Sequence, residues 1–224
     1  MPLQKFLDLL LRRTVYFASV RQLRIGDPFE GYYSVTKPEG TELPADLDFS
    51  SAPAAVSYVS CWHSSVVEPA GLWKVYSDPV GGVAIQSSKS AIQEAFAEYK
   101  KEIIAGLVRY DDGQMINPDT MYGPVFRKRP HFAYENEARL CIRPHGSVLS
   151  LNKKTGKFAD ISTGTEVEVP LGERVPCRVE TLIERIVVGP KTDEWMRESI
   201  STLMHTLGYA LEAQKSEIPL VPIP

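Results

Sequence analysis

The sequence predicts a single α+β domain spanning residues 1–224, with a mixed or split antiparallel sheet and a few flanking helices. Short segments rich in β-branched and aromatic residues recur along the chain, separated by turn residues. Two longer segments, 88–107 and 193–208, instead repeat their apolar residues at helical spacing. No internal repeat or linker divides the 224 residues, and a hydrophobic content of 43% suffices for a core.

The elements follow in order. Leu7-Asp8-Leu9-Leu10-Leu11-Arg12-Arg13 reads as part of an amphipathic first helix, too short and too charged for a signal peptide or a spanning helix. Thr14–Ala18 reads as a strand, and Asp27-Pro28-Phe29-Glu30-Gly31 as a turn punctuated by proline and glycine. Residues 36–54 lack periodicity and read as an exposed loop. A strand resumes at Val56–Trp62; Leu72–Tyr76 suits a short helix or an aromatic loop, and Gly81–Gln86 a further strand.

In Ser88–Leu107 the residues Ile92, Ala95, Phe96, Tyr99, Ile103 and Leu107 form a helical stripe, and Ser90 is a candidate cap. Leu107–Tyr110 returns as a strand before an Asp-Asp-Gly turn, and a polar, proline-bearing stretch covers 114–130. The final unit is Thr181–Gly189, a turn, and a helix over 193–208 with Met196, Ile200, Leu203, Met204 and Leu207 inward. Prolines at 219, 222 and 224 keep the tail out of any central strand.

Composition excludes several function classes. A net charge of −3 and a pI near 5.9 do not advertise binding to nucleic acid or anionic membranes, so any polyanion contact must be local. Arg127-Lys128-Arg129 is the local candidate for touching an acidic target. Three cysteines, at 61, 141 and 177, form no disulfide framework and suit a reducing cytoplasm. Dinucleotide, phosphate-loop and hydrolase-elbow fingerprints are absent. Cys61-x-His63 has no second pair at zinc spacing, so no metal is expected, and the same lack of clustering disfavours a nuclease.

The richest segment is Tyr134–Arg143. As a strand it places Glu135, Glu137, Arg139 and Cys141 on one face and Tyr134, Ala138, Leu140 and Ile142 on the other. Two carboxylates and a guanidinium on one face suit either a site or a face of cross-strand ion pairs.

Tyr16-Phe17, Asp27-Pro28-Phe29-Glu30-Gly31, Ser60-Cys61-Trp62, Leu72-Trp73 with Tyr76, Gly82–Ile85, Tyr134-Glu135 with Glu137 and Arg139, and Ile186–Gly189 occur in an order that resembles the bacterial domain-of-unknown-function 2971 family. Gly26 stands where that family usually has asparagine. The family name implies no activity. A remoter similarity is to ADP-ribosyltransferases, in which a late strand carries a Glu-x-Glu pair to an NAD cleft.

That likeness implies NAD as substrate, Glu137 on the ribose, Glu135 toward the acceptor, Ser60 and Tyr76 around the nicotinamide, and a macromolecular target, as in a toxin or phage-defence effector. Charge developing on the ribose would be stabilised by an ionised carboxylate. Trp62, Trp73, Tyr76 and Tyr134 are the candidate walls, and Arg12, Arg13 or Arg21 the candidates for pyrophosphate. The alternative is a non-catalytic binding or structural protein with an ion-paired sheet face.

Overall fold

Apolar residues at positions 6, 9 and 10 make Leu3–Arg12 a helix, α1, that buries Phe6, Leu9 and Leu10. Arg13 ends it in the left-handed region, at φ 53° and ψ 41°, and the chain turns at once into the first strand. The computed structural model describes residues 1–31, 47–48, 56–77, 81–111, 122–143, 149–152, 157–160 and 163–218.

The strands are Thr14–Ser19 (β1), Leu47–Asp48 (β2), Tyr58–His63 (β3), Val83–Gln86 (β4), Ile104–Leu107 (β5), Arg109–Tyr110 (β6), Arg127–Lys128 (β7), Glu137–Ile142 (β8), Leu149–Asn152 (β9), Phe158–Asp160 (β10), Glu166–Val167 (β11), Gly172–Pro176 (β12), Arg185–Val188 (β13) and Ala213–Lys215 (β14). The remaining α-helices are Val20–Leu23 (α2), Ala70–Tyr76 (α3), Lys89–Ala95 (α4), Val179–Leu182 (α5) and Glu194–Thr206 (α6). The chain is therefore α+β, as its patterning predicts.

Two compact units are present: one holds 1–15, 65–100 and 175–224, the other 16–64 and 101–174. In the first, β13 lies between β4, to which it is antiparallel, and β14, to which it is parallel. Ile186, Val187 and Val188 of β13 are buried, the apolar run of a strand covered on both faces. Helix α6 buries Met196, Ile200 and Met204, three of the five residues expected on its inner stripe; Leu207 remains exposed.

The second unit is built on β3, β8 and β5, the end of a five-stranded sheet in the order β12, β1, β3, β8, β5. Strand β8 runs antiparallel to both its neighbours. A smaller sheet, β11, β10, β9, β2, and the parallel pair β6 and β7 complete it.

The single long helix expected over 88–107 is divided. Ser88, not Ser90, caps α4 by accepting from the Ala91 N–H at 3.2 Å, and the helix ends at Ala95. Ile104–Leu107 is instead the edge strand β5, paired with β8. A helical spacing of apolar residues cannot count the sheet partners open to each segment, and a short run rich in Ile and Leu suits either state.

The Glu-x-Glu strand is shorter at its start than expected. Pro130–Glu135 forms a 3-10 turn, Asn136 takes φ 40° and ψ 57°, and only then does β8 begin. Asparagine tolerates this left-handed conformation, so Glu135 ends the turn and Glu137 opens the strand instead of both lying on it. Leu72–Tyr76 lies in helix α3. Most of the 36–54 loop, residues 112–113 of the Asp-Asp-Gly turn, 114–121 and the tail beyond 218 lie outside the described residues. Among the described residues, no helix is long and apolar enough to cross a membrane.

Candidate functional site

The site starts from the alternation of β8. Cross-strand register pairs His63 with Glu137, Cys61 with Arg139 and Val59 with Cys141, so these six residues share one face. On that face the buried Val59 and Cys141 join Val20 and Val125 in an apolar cluster flanked by Leu23, Tyr122 and Phe126. Phe126 packs over Gly106, which is paired with Arg139; a methyl group there would meet its ring at 3.0 Å.

Arg139 lies beside that cluster and is only 1% exposed. A guanidinium has five N–H donors and no acceptor, so buried it must be surrounded by oxygens. Its Nε and Nη2 donate to Glu137 Oε2 at 3.1 and 2.6 Å, and its Nη1 donates to Glu30 Oε1 at 2.7 Å and to the Val125 carbonyl at 2.5 Å.

Lys128 supplies the second cation. Its Nζ is hydrogen-bonded to Glu135 and lies 3.7 Å from both Glu30 Oε2 and Glu137 Oε2. Burial pulls the ammonium down, but the Glu135 bond and the charges of Glu137 and Glu30 outweigh it and hold Lys128 above the ordinary lysine value. Glu30, Glu135 and Glu137 are all buried. Three carboxylates thus share two cations, one negative charge in excess.

The turn 27–31 reaches this network through Glu30. Asp27 accepts from the Phe29 N–H at 3.1 Å and from Arg129 Nη2 at 2.7 Å, and the Arg24 Nε–H donates to the Glu30 carbonyl at 2.8 Å. These bonds aim the Glu30 carboxylate at Arg139. Glu30 and Glu137 are therefore joined through one guanidinium.

The other expected site residues lie on other elements. Ser60 pairs with Leu140 and so faces the side of the sheet opposite Glu137; its Oγ accepts from Trp62 Nε1 at 3.1 Å. In the first unit, Trp73 donates from Nε1 to Glu68 at 3.4 Å and packs against Gly189, while Tyr76 is exposed. Arg13 is held by Glu180 at 2.6 Å and by the Tyr209 hydroxyl at 3.1 Å. Each residue of the basic run has a carboxylate partner: Arg127 with Asp111, Lys128 with the glutamates, and Arg129 with Asp27. A run that reads as a patch for an acidic target is turned onto the protein's own acids.

Sequence reasoning missed two contributors and gave a third another role. His63 lies across from Glu137, and its Nδ1 is 2.6 Å from the Glu135 carbonyl; a carbonyl only accepts, so Nδ1 carries the proton. The Tyr110 hydroxyl accepts from the Glu137 N–H at 2.7 Å. Lys128 binds the carboxylates inside the unit. Only the spacing of Cys61-x-His63 hinted at the first.

Cys61 presents exposed surface on the network face. Burial of its thiol nevertheless pushes the group well above the ordinary cysteine value, and Glu137 adds to the shift against the opposing pull of Arg139. A protonated thiol is a poor nucleophile. Iodoacetamide at pH 8 should therefore modify Cys61 more slowly than a free cysteine peptide, read by mass spectrometry; equal rates would show that the thiol titrates normally.

Among the described residues, no group of three His, Cys, Asp or Glu side chains is placed to hold a metal ion. No protein-family model, curated protein or solved structure matches the chain.

Proposed function

We propose that this chain is a non-catalytic binding protein in which Glu30, Lys128, Glu135, Glu137 and Arg139 form an ion-paired sheet face. One observation carries the reading: Arg139, 1% exposed, is committed to Glu30, Glu137 and the Val125 carbonyl. A carboxylate that stabilises charge on a ribose must meet the sugar. Glu137 is 6% exposed and accepts two N–H groups from Arg139 on one oxygen.

The network ties three parts of one unit together. It fastens the turn 27–31 and the segment 127–135 to β8, and its satisfied hydrogen bonds make that arrangement specific. The work such a face does is to hold loops in one conformation for a partner.

A second reading, ADP-ribosyl transfer from NAD with Glu137 on the ribose and Glu135 toward the acceptor, is favoured by the excess carboxylate charge beside Arg139. Nicotinamide release from NAD by the purified protein, with and without cell extract, separates the two. We expect release no faster than in buffer and a lowered melting temperature for Glu137→Gln. Release that Glu137→Gln abolishes with its melting temperature unchanged would overturn the binding reading in favour of transfer.

A further inference from the structure

We infer that the outer side of the turn 27–31 and of the segment 129–134 binds single-stranded nucleic acid. The inference rests on the binding reading above and names the partner class of the surface that the ion-paired face holds in place.

Every acidic residue in 24–31 and 127–135 is buried: Asp27, Glu30 and Glu135 all point inward. Phe29, Tyr134 and Arg129 do not follow them, whereas Lys128 joins the buried acids. Phe29 is 59% and Tyr134 56% exposed, and the Arg129 guanidinium lies 4.7 Å from the Phe29 ring centre and 5.5 Å from that of Phe132. In the 3-10 turn Pro130–Glu135, residues three apart eclipse one another. Phe132 and Glu135 thus share the side facing Lys128, which contacts both, while exposed His131 and Tyr134 share the outward side.

The surface therefore offers the exposed rings of Phe29 and Tyr134 and one half-exposed arginine, Arg129, which also pairs with Asp27, with the carboxylates buried beneath it. Single-stranded nucleic acid uses both features at once: bases stack on rings or guanidinium planes, and phosphates take the cations. An acidic peptide would use the cations and leave the rings bare. Because the whole chain carries a net charge of −3, binding must come from this local complementarity, and few phosphates are engaged.

The test is fluorescence anisotropy of labelled oligouridylate and oligothymidylate of about ten nucleotides, within the span that comparable single-strand sites cover. Saturable binding is expected. With about one phosphate neutralised, by Arg129, a fourfold rise in salt should weaken it only about two- to threefold. Phe29→Ala and Tyr134→Ala should each weaken it about tenfold, the scale of one lost stacking contact. Their melting temperatures should not move, because neither side chain belongs to the buried network. Trp195→Ala removes an equally exposed aromatic on α6 and should bind as wild type.

No saturable binding, or binding that neither substitution weakens, would overturn the inference. So would displacement of the oligonucleotide by polyglutamate at equal concentration, which would assign the surface to acidic peptides. Nicotinamide release remains a separate readout: it would overturn the non-catalytic reading without touching these outcomes.

Discussion

Arg139→Ala should destabilise the protein by about 3–5 kcal/mol, the usual cost of removing one partner from a buried ion pair. For a chain of this size that corresponds to a fall of about 6–20 °C in melting temperature. The physical reason is that two carboxylates, Glu30 and Glu137, lose the guanidinium bonded to them at 2.7 and 2.6 Å while remaining buried. The Val125 carbonyl also loses a donor. Arg139→Lys should recover only part of the loss, because an ammonium cannot span two carboxylates and a carbonyl with one planar fork. Calorimetry or circular dichroism checks this; a shift under about 3 °C for Arg139→Ala would mean that water reaches the glutamates and the face is not sealed.

Lys128→Met should cost about 3 kcal/mol for the same reason, since Glu135 then keeps no cation partner in the network. Adding Glu135→Gln should restore more than half of that loss, and a double-mutant cycle would show strong coupling between the two positions. If the two losses simply add, the pair is not acting as a unit.

The pH dependence has a definite sign. Lys128 is held above the ordinary lysine value of 10.5 in the folded protein. Its stabilising contribution is therefore fully present below that value and is lost as pH rises through the folded value. The stability gap between wild type and Lys128→Met should be constant at neutral pH and narrow only in strongly alkaline solution; narrowing between pH 6 and 9 would contradict the shift.

The charge network also shows where sequence reading reaches its limit. The face carrying Glu137, Arg139 and Cys141 was legible, because alternation in a strand depends only on neighbours in sequence. The Asp-Pro-Phe-Glu-Gly turn was legible as a turn for the same reason, but Phe29 is 59% exposed instead of anchoring it, and only the fold brings Glu30 to Arg139. Whether Arg127-Lys128-Arg129 faces outward or inward was not. Three consecutive cations look alike in sequence, yet each meets a different acid: Asp111, the buried glutamates and Asp27. Ser60 shows the complementary failure, since only the β3–β8 register decides which side of the sheet it faces.

By itself, the sequence determined the α+β class, the first and last α-helices and the apolar and polar faces of β8. These follow from periodicity, capping and turn chemistry, which act over a few residues. Only the tertiary structure decided that 104–107 is a strand, that a left-handed Asn136 separates Glu135 from the strand, and that Glu30 reaches Arg139 across 109 positions. An edge strand exists only if a neighbouring strand offers its backbone, and a buried charge is stable only if its partner arrives with it. Neither condition is written in the local pattern, because both depend on residues that folding alone brings together.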